Sequence, residues 1–173
     1  MNREDLARMF AERGYTLGYE IGTASGLFAE TLLKANPGLT LFCVDPWMRY
    51  EGYDQMWGAN LEDCYREAKI LLAPYSAILL RMNSEQAAEE VADASIDFVY
   101  IDANHHYEWV SRDLELWHAK VRPGGIISGH DYHSMNHTCG VKQAVDDWQA
   151  RHKYKLHILD DRYHSWYYEK GTP

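Results

Sequence analysis

The sequence predicts an α/β fold in which a doubly wound, mostly parallel sheet of seven strands is covered by helices on both faces. Short apolar runs alternate with amphipathic helical segments along the 173 residues, which is the order that parallel strands with helical crossovers require. The runs are apolar at nearly every position, as in IDFVYI at residues 96–101, so both faces of the sheet are expected to be buried. No repeat or linker-like segment interrupts this order, and we expect one domain over residues 1–173.

The charge balance and the cysteines limit the classes of protein to which the chain can belong. The 17 Lys and Arg residues against 26 Asp and Glu give a net charge of −9, which argues against a protein built to hold nucleic-acid phosphates. The first residues, MNREDLARMF, lack the apolar core of a signal peptide, and no stretch reaches the ~18 apolar residues of a membrane span. Three cysteines without a C-x-x-C pair fit reduced thiols. We therefore expect a cytoplasmic protein with no membrane or nucleic-acid partner.

The first part of the chain predicts a helix, followed by two strands with a second helix between them. Asn2 is the expected N-cap of the opening helix, Asp5 completes the cap, and Gly14 ends the helix. The second helix stops at the Asn-Pro-Gly turn over residues 36–38. The predicted bounds are residues 2–13 and 25–35 for the helices and residues 17–21 and 39–44 for the strands.

Residues 46–60 follow the second predicted strand and show no clear period. They contain four aromatic residues, and we interpret them as a lid or substrate loop over an acceptor site. A satellite hydrophobic cluster or a dimer contact would use the same side chains, so the sequence leaves a homodimer open. The side chains concerned are Met48, Tyr50, Tyr53, Met56 and Trp57.

The rest of the chain continues the alternation of helices and strands. Pro74 breaks the first of these helices, Ser84 is the expected N-cap of the second, and the Arg-Pro-Gly-Gly sequence at residues 122–125 is expected to form a turn after the third. The predicted helices cover residues 61–73, 84–92, 107–121 and 141–152. The predicted strands cover residues 77–81, 96–101, 126–128, 155–159 and 165–168.

The first predicted strand runs into a glycine turn that opens a helix. Glu20, Gly22 and Gly26 form an E-x-G-x-x-x-G pattern, in which glycines allow a tight turn and a close approach of the backbone to a ligand. The dinucleotide fingerprint G-x-G-x-x-G differs, because Ala24 stands at its middle glycine. A tight turn without a ligand is the structural alternative.

The next two strands also end in residues that suit a nucleoside. Asp45 ends the second strand, where a carboxylate can accept hydrogen bonds from both hydroxyls of an adenosine ribose. Pro46 and Trp47 follow it and can cover a face of adenine. Asn83 and Ser84 follow the third strand and can contact the edge of the base. In this order along the chain, the strand ends predict an adenosine-binding crevice.

These residues, together with D-x-x-H-x-Y at residues 102–107 and G-H-D-Y at residues 129–132, resemble the class I S-adenosylmethionine-dependent methyltransferases. Within that class the chain is most similar to small bacterial O-methyltransferase-like proteins related to catechol and macrocin O-methyltransferases. The resemblance covers residues 17–168 and implies a Rossmann-like sheet with an antiparallel last strand. It also implies S-adenosyl-L-methionine as the cofactor.

The resemblance assigns a set of residues to this cofactor. Glu20, Gly22 and Gly26 are implied at its methionine end, and Asp45 at its ribose. Adenine is implied to contact the residues that follow the third strand. The complete predicted set comprises Glu20, Gly22, Thr23, Ala24, Ser25, Gly26, Asp45, Pro46, Trp47, Asn83, Ser84 and Asp102.

Two acidic residues end the fourth and fifth predicted strands, which are neighbours in a doubly wound order. Asp102 and Asp131, with His130 beside the second of them, suit a hard divalent cation such as Mg²⁺ or Mn²⁺ that binds and acidifies a substrate hydroxyl. We therefore predict Asp102, His130 and Asp131 as metal ligands. Two positions depart from the macrocin type, which has an acidic ligand at the place of His130 and a second carboxylate at the place of Asn104.

His105 stands where related enzymes keep a general base. A neutral imidazole can take the hydroxyl proton as the methyl group moves, so His105 and Asp102 are the predicted catalytic residues. Structural roles stay open, because Asp102 can cap the turn after its strand and His105 can bond a backbone carbonyl. His133 and His137 match no standard zinc spacing and are expected to be loop residues.

The resemblance implies methyl transfer to a hydroxyl oxygen of a small acceptor such as a sugar, a phenol or a natural-product intermediate. A non-catalytic module that binds S-adenosylmethionine would use the same turn and the same Asp45. A methyltransferase acting on nitrogen or on a macromolecule is disfavoured by the acidic balance and by the absence of N-P-P-Y or D-P-P-Y after the fourth strand. A nicotinamide oxidoreductase would carry the other glycine pattern.

Overall fold

A computed structural model of the chain describes residues 1–50, 60–133 and 139–171. The predicted lid residues Tyr53, Met56 and Trp57, and His137, lie outside these ranges. No helix within them is both long and apolar enough to cross a membrane. The helices are α1 (Arg3–Glu12), α2 (Leu27–Ala35), α3 (Leu61–Leu72), α4 (Ser84–Glu89), α5 (Tyr107–Lys120) and α6 (Val141–His152). The strands are β1 (Leu17–Ile21), β2 (Thr40–Val44), β3 (Ala77–Leu80), β4 (Ile96–Ile101), β5 (Val121–Gly129), β6 (His157–Ile158) and β7 (Trp166–Glu169).

The strands of the described ranges form one sheet in the order β3-β2-β1-β4-β5-β7-β6. Strands β1 to β5 are parallel to their neighbours among these five, whereas β7 runs antiparallel to both β5 and β6. The predicted fold class, including the antiparallel last strand, is confirmed. The strand order reverses between β1 and β4, which is where a doubly wound sheet leaves a crevice for a ligand.

Consecutive residues of the central strands are buried on opposite faces of the sheet. In β4, Val99 and Ile101 pack into a cluster covered by α4, α5 and α6, whereas Phe98 and Tyr100 pack into a second cluster under α1, α2 and α3. Because both faces are covered, the strand needs an apolar residue at every position. This explains the uninterrupted apolar runs from which the fold class is predicted.

The turn predicted at residues 122–125 lies inside β5 rather than before it. The strand begins at Val121, directly after α5. An advance of two residues along β4, from Ile96 to Phe98, corresponds to an advance of five along β5, so the extra residues form a bulge. Gly124 there has a φ of +76°, which glycine adopts without strain. The Pro-Gly-Gly sequence marks this bulge and not the end of a strand.

Side chains cap two of the helices as reciprocal capping boxes. The predicted cap of α1 is confirmed, since the Asp5 N–H donates to Asn2 Oδ1 at 3.0 Å and the Asn2 N–H donates to Asp5 Oδ2 at 2.8 Å. The prediction for α4 is wrong by one residue, because Asn83 and not Ser84 accepts the cap bond, from the Gln86 N–H at 2.9 Å. This leaves the Ser84 hydroxyl for a different contact.

Candidate functional site

A cavity of about 590 Å³ opens at the carboxyl ends of β1 to β4, beside the reversal of strand order. Its volume lies within the range of small-molecule sites. The strand ends and the N-terminal halves of α4 and α5 form its walls. The residues that line it include Gly22, Ala24, Asp45, Pro46, Met48, Tyr50, Met82, Asn83, Ser84, Asp102, Asn104, His105, Trp109 and Asp113.

The turn after β1 packs tightly against the end of β4. The Gly22 N–H donates to the Val44 carbonyl at 2.8 Å, and the φ of Gly22 is +92°. A Cβ at this position would lie 2.2 Å from the Asp102 carbonyl oxygen. Glycine is therefore required here by the neighbouring strand as well as by the conformation of the turn.

Gly22→Ala is expected to lower the free energy of unfolding by about 2–5 kcal/mol, because a left-handed backbone costs about 1–2 kcal/mol and overpacking about 1–3 kcal/mol. Gly14→Ala is the matched control, since Gly14 has a φ of +67° but no heavy atom within 4 Å of its Cβ position. The control should lose only the conformational share. Urea denaturation of both variants measures the difference, and equal losses would contradict the close approach to Asp102.

Asp45 ties the end of β2 to the turn after β1. Its Oδ2 accepts from the Ala24 N–H at 2.9 Å and its Oδ1 from the Trp47 N–H at 2.7 Å. Burial raises the pKa of this carboxyl. Each oxygen keeps a second acceptor site, so Asp45 is fixed on the cavity wall and can still receive hydroxyl donors.

Trp47 does not take the position that the sequence suggests. Its side chain is buried, its indole N–H donates to the Ala24 carbonyl at 2.7 Å, and its ring packs against Tyr65 at 4.9 Å. The ring belongs to the hydrophobic cluster under α1, α2 and α3 and not to the cavity wall. This position presents no ring face to adenine, whereas the preceding Pro46 does line the cavity.

Glu20 is a carboxyl group enclosed by the core at the end of β1. It is 2% exposed, and its Oε2 has no hydrogen-bond partner in the described part of the chain. Burial, with the nearby carboxyls of Asp102 and Asp45, raises the pKa of Glu20 to about 8. The protein thus keeps a protonated or partly protonated acid beside the glycine turn at neutral pH.

Four side chains that follow β4 and β5 converge at one end of the cavity, and we call them the acid–histidine cluster: Asp102, His105, His130 and Asp131. His105 Nε2 lies 3.4 Å from Asp102 Oδ1 and 3.3 Å from Asp131 Oδ2. His130 Nδ1 lies 3.1 Å from Asp131 Oδ2 and 3.9 Å from Asp102 Oδ2. One nitrogen of each imidazole therefore faces both carboxylates.

The other nitrogen of His130 is anchored to the turn before β7. His130 Nε2 lies 2.9 Å from the Arg162 carbonyl oxygen. Because a carbonyl oxygen can only accept, Nε2 carries a proton and donates it to Arg162, away from the carboxylates. Nδ1 then faces the carboxylates, and metal-binding histidines show this arrangement.

Asp131 is the most heavily contacted member of the cluster. His133 Nε2 lies 3.2 Å from Asp131 Oδ1, so His133 is a cluster neighbour and not only a loop residue. The φ of Asp131 is +56°, in the left-handed region that Asp adopts more readily than most residues other than glycine. Burial raises the pKa of Asp131, but His130, His105 and His133 outweigh it and hold the pKa below its usual range.

Charge compensation also governs the two central histidines. Burial lowers the pKa of His105, but Asp102 and Asp131 more than offset this effect and raise it above the ordinary value. The pKa of His130 is raised by the same two carboxylates against its own burial. The two carboxylates thus favour the protonated form of both rings.

Three groups of the cluster lie close enough together to be ligands of one divalent cation. Ligand atoms of Asp102, His105 and Asp131 lie within 4.8 Å of one another. The sequence names His130 in the place of His105 beside the same two aspartates, and His130 Nδ1 also faces both of them, so that ligand set stays a prediction. Oxygen and imidazole donors of this kind fit a divalent cation.

Comparison with known proteins identifies the family of the chain. Residues 19–132 match the family model described as a methyltransferase domain. The chain belongs to this methyltransferase family. The uncharacterized protein y4gI of Sinorhizobium fredii is 27% identical over 129 residues. That match covers 73% of this chain, and the chain spans only 14% of the length of this curated relative.

Solved structures with the fold of this methyltransferase domain include two O-methyltransferases. The enzyme from Bacillus cereus, in complex with SAH, has a TM-score of 0.69 at 17% identity, with 97% of this chain and 80% of that chain covered. TomG from Streptomyces achromogenes, involved in tomaymycin synthesis and in complex with SAM, has a TM-score of 0.71 at 14% identity, with 98% and 79% covered. At these identities the likeness shows a shared fold.

The methyltransferase domain brings only part of the predicted cofactor set to the cavity. The cavity-lining members are Gly22, Ala24, Asp45, Pro46, Asn83, Ser84 and Asp102. The members outside the lining are Glu20, Thr23, Ser25, Gly26 and Trp47. Gly26 instead packs against α3, where its Cβ would lie 3.1 Å from Leu72.

Among the cavity residues that sequence reasoning missed is a buried acidic one. Asp113 lies on α5, is 6% exposed, and hydrogen-bonds the Ser84 hydroxyl. Burial raises the pKa of Asp113 to about 7. The sequence does contain a signal for this residue, because Asp113 lies in the apolar stripe of α5 between Val110 and Trp117. An acidic residue is rare at such a buried position and indicates a specific role.

Proposed function

We propose that the chain transfers a methyl group from S-adenosyl-L-methionine to a hydroxyl oxygen of a small acceptor, assisted by Mg²⁺ or Mn²⁺ at the acid–histidine cluster. One observation carries the proposal: Asp102 and His105 belong to the cluster and also line the cavity that contains Gly22 and Asp45. A donor site and a site for hydroxyl activation therefore share one space. The solved O-methyltransferases in complex with SAH and SAM support the choice of donor.

The donor end of the cavity has groups that suit S-adenosylmethionine. Asp45 is held by two backbone N–H groups and keeps acceptor sites for ribose hydroxyls. Glu20, with an unpaired buried oxygen, supplies negative potential behind the glycine turn when it ionises, which favours a ligand with cationic groups. The bound donor supplies the sulfonium methyl group that the acceptor oxygen attacks.

The cluster has groups that suit a cation and a hydroxyl. Asp102, His105 and Asp131 would hold the cation, while His130 is oriented toward the same carboxylates by the Arg162 carbonyl. A bound divalent cation lowers the pKa of a coordinated hydroxyl. His105 then acts as a ligand, and its predicted role as general base applies only to a protein that works without the cation.

Part of the cavity wall is apolar and aromatic. Tyr50 and Trp109 line the cavity with their rings edge to face at 5.5 Å, and Met48 also lines it. Flat aromatic faces suit a phenol or the apolar face of a sugar. The cavity holds such an acceptor in line with the methyl group, and this positioning supplies much of the acceleration of methyl transfer over the uncatalysed reaction.

Calorimetric titration tests the proposal in two steps. S-adenosylhomocysteine is titrated first, and Mn²⁺ or Mg²⁺ is then titrated into the saturated protein. We expect saturable metal binding that is lost in Asp131→Asn. The control Asp93→Asn changes an exposed carboxylate and should bind the metal like the wild type. Failure to bind S-adenosylhomocysteine would contradict the proposed function.

Two further outcomes would revise parts of the proposal. If the protein binds S-adenosylhomocysteine but no metal, the cation has no part in the reaction and His105 is the general base. Binding of both ligands without methyl transfer to any member of a panel of catechols, phenols and sugars would favour a binding module without catalysis.

A further inference from the structure

Asp113 is a buried carboxyl group on the cavity wall that plays no part in the proposed reaction. It is 6% exposed, and within the described ranges its one hydrogen-bond partner is Ser84. The Trp117 indole N–H donates to Ser84 Oγ at 2.8 Å. The Ser84 hydroxyl therefore donates its own hydrogen to Asp113. A carboxylate has about four acceptor positions, so Asp113 can accept further hydrogen bonds. The adjacent Arg112 pairs with Glu85.

The order of the strands places Asp113 at a definite end of the cavity. From the reaction side, the sheet edge presents Asp102 after β4, Gly22 after β1, Asp45 after β2 and Ser84 after β3. A donor with its methyl group near Asp102 and its ribose at Asp45 must extend its base toward the end of β3. Although α5 follows β4 in the chain, it packs against α4 and brings Asp113 to Ser84 at that end.

We propose that Asp113 determines the specificity of the donor site by accepting a hydrogen bond from the exocyclic amino group of adenine. This inference rests on the proposed function, because it needs S-adenosylmethionine in the cavity. Burial of a carboxyl group lowers the stability of the protein unless hydrogen bonds pair its oxygens. The adenine ring of the donor carries an exocyclic amino group, whose two N–H bonds can supply such a hydrogen bond. Asp113 would reject a purine without that group, since its oxygen would lose its partner.

A comparison of two ligands isolates this contact. S-adenosylhomocysteine and its analogue with an unsubstituted purine, which lacks only the amino group, are titrated calorimetrically at pH 8. The wild type is expected to prefer S-adenosylhomocysteine by about tenfold to a hundredfold, as for a hydrogen bond to a charged group. Asp113→Ala should reduce this preference to less than about threefold. Glu115→Ala, an exposed change on the same helix, should keep the wild-type preference.

The ratio of the two affinities separates a specific contact from a general loss of affinity. Should Asp113→Ala fail to fold, Asp113→Asn keeps the volume and an acceptor for Ser84, and its neutral amide should lower the preference at least threefold. A wild-type preference near one, or a preference unchanged in both variants, would overturn the role of Asp113 alone. If the wild type binds neither ligand, the proposed function fails together with this inference.

Discussion

Asp131→Asn is expected to lower kcat/KM for methyl transfer about 10³-fold, the scale on which loss of a preorganised charge reduces catalysis. Asp131 contacts His105, His130 and His133 and is a member of the candidate cation site. Asparagine keeps the size of the side chain and tolerates the left-handed backbone of this position. The substitution therefore removes the negative charge with little change in shape or conformation.

Two readouts distinguish this electrostatic effect from a loss of structure. Because Asp131 raises the pKa values of His105 and His130, both should titrate at lower pH in the variant, as observed by NMR of the imidazole protons. Asp93→Asn replaces an exposed carboxylate paired with Lys120 and should change neither activity nor these titrations. Activity of Asp131→Asn within threefold of the wild type would contradict the cluster as the reaction site.

Glu20→Gln is expected to remove a loss of stability that the wild type suffers as the pH rises. The pKa of Glu20 is about 8 in the folded protein, raised by burial, against 4.5 for an ordinary carboxyl group. Below pH 4.5 both states hold the proton, and the pKa difference contributes nothing. Between pH 4.5 and 8 the unfolded chain releases the proton while the folded protein keeps it, so the unfolded state becomes more stable relative to the folded state as the pH rises.

The size of the effect follows from the pKa difference. Each unit corresponds to about 1.4 kcal/mol, so the wild type should lose about 3–5 kcal/mol through Glu20 between pH 4.5 and pH 8 and no more above it. Urea denaturation of ligand-free protein at pH 5, 7 and 9 measures this loss. The stability of Glu20→Gln relative to the wild type should increase over the series, whereas Glu89→Gln, an exposed change, should follow the wild type. Parallel curves for all three proteins would show that Glu20 is not buried as a neutral acid.

The sequence identifies residues whose position depends only on where a strand ends. Glu20, Asp45 and Asp102 each stand at the end of a parallel strand, and parallel strands end at one edge of the sheet. Their proximity is therefore predictable from the alternation of apolar runs and helical segments. The same logic succeeds for Asp131, which follows β5 beside β4.

The sequence fails where a side chain is placed by packing across elements. Trp47 follows a strand like its neighbours, but its large apolar ring gains more from burial against Tyr65 than from the cavity wall. Asp113 looks like one more polar residue of α5 until the packing of α5 on α4 places it against Ser84. Neither position follows from the local pattern.

The sequence by itself determined the doubly wound fold class, the glycine turn and the carboxylates at the strand ends. The fold class and the strand ends follow from the periodicity of apolar residues, and the turn follows from a backbone conformation that glycine adopts without strain. The tertiary structure decided how these groups are used. It placed His105 between two carboxylates, turned His130 by a bond to the Arg162 carbonyl, and buried Glu20 and Asp113. These features depend on distances between residues far apart in the chain, and such distances are fixed only when the helices pack on the sheet.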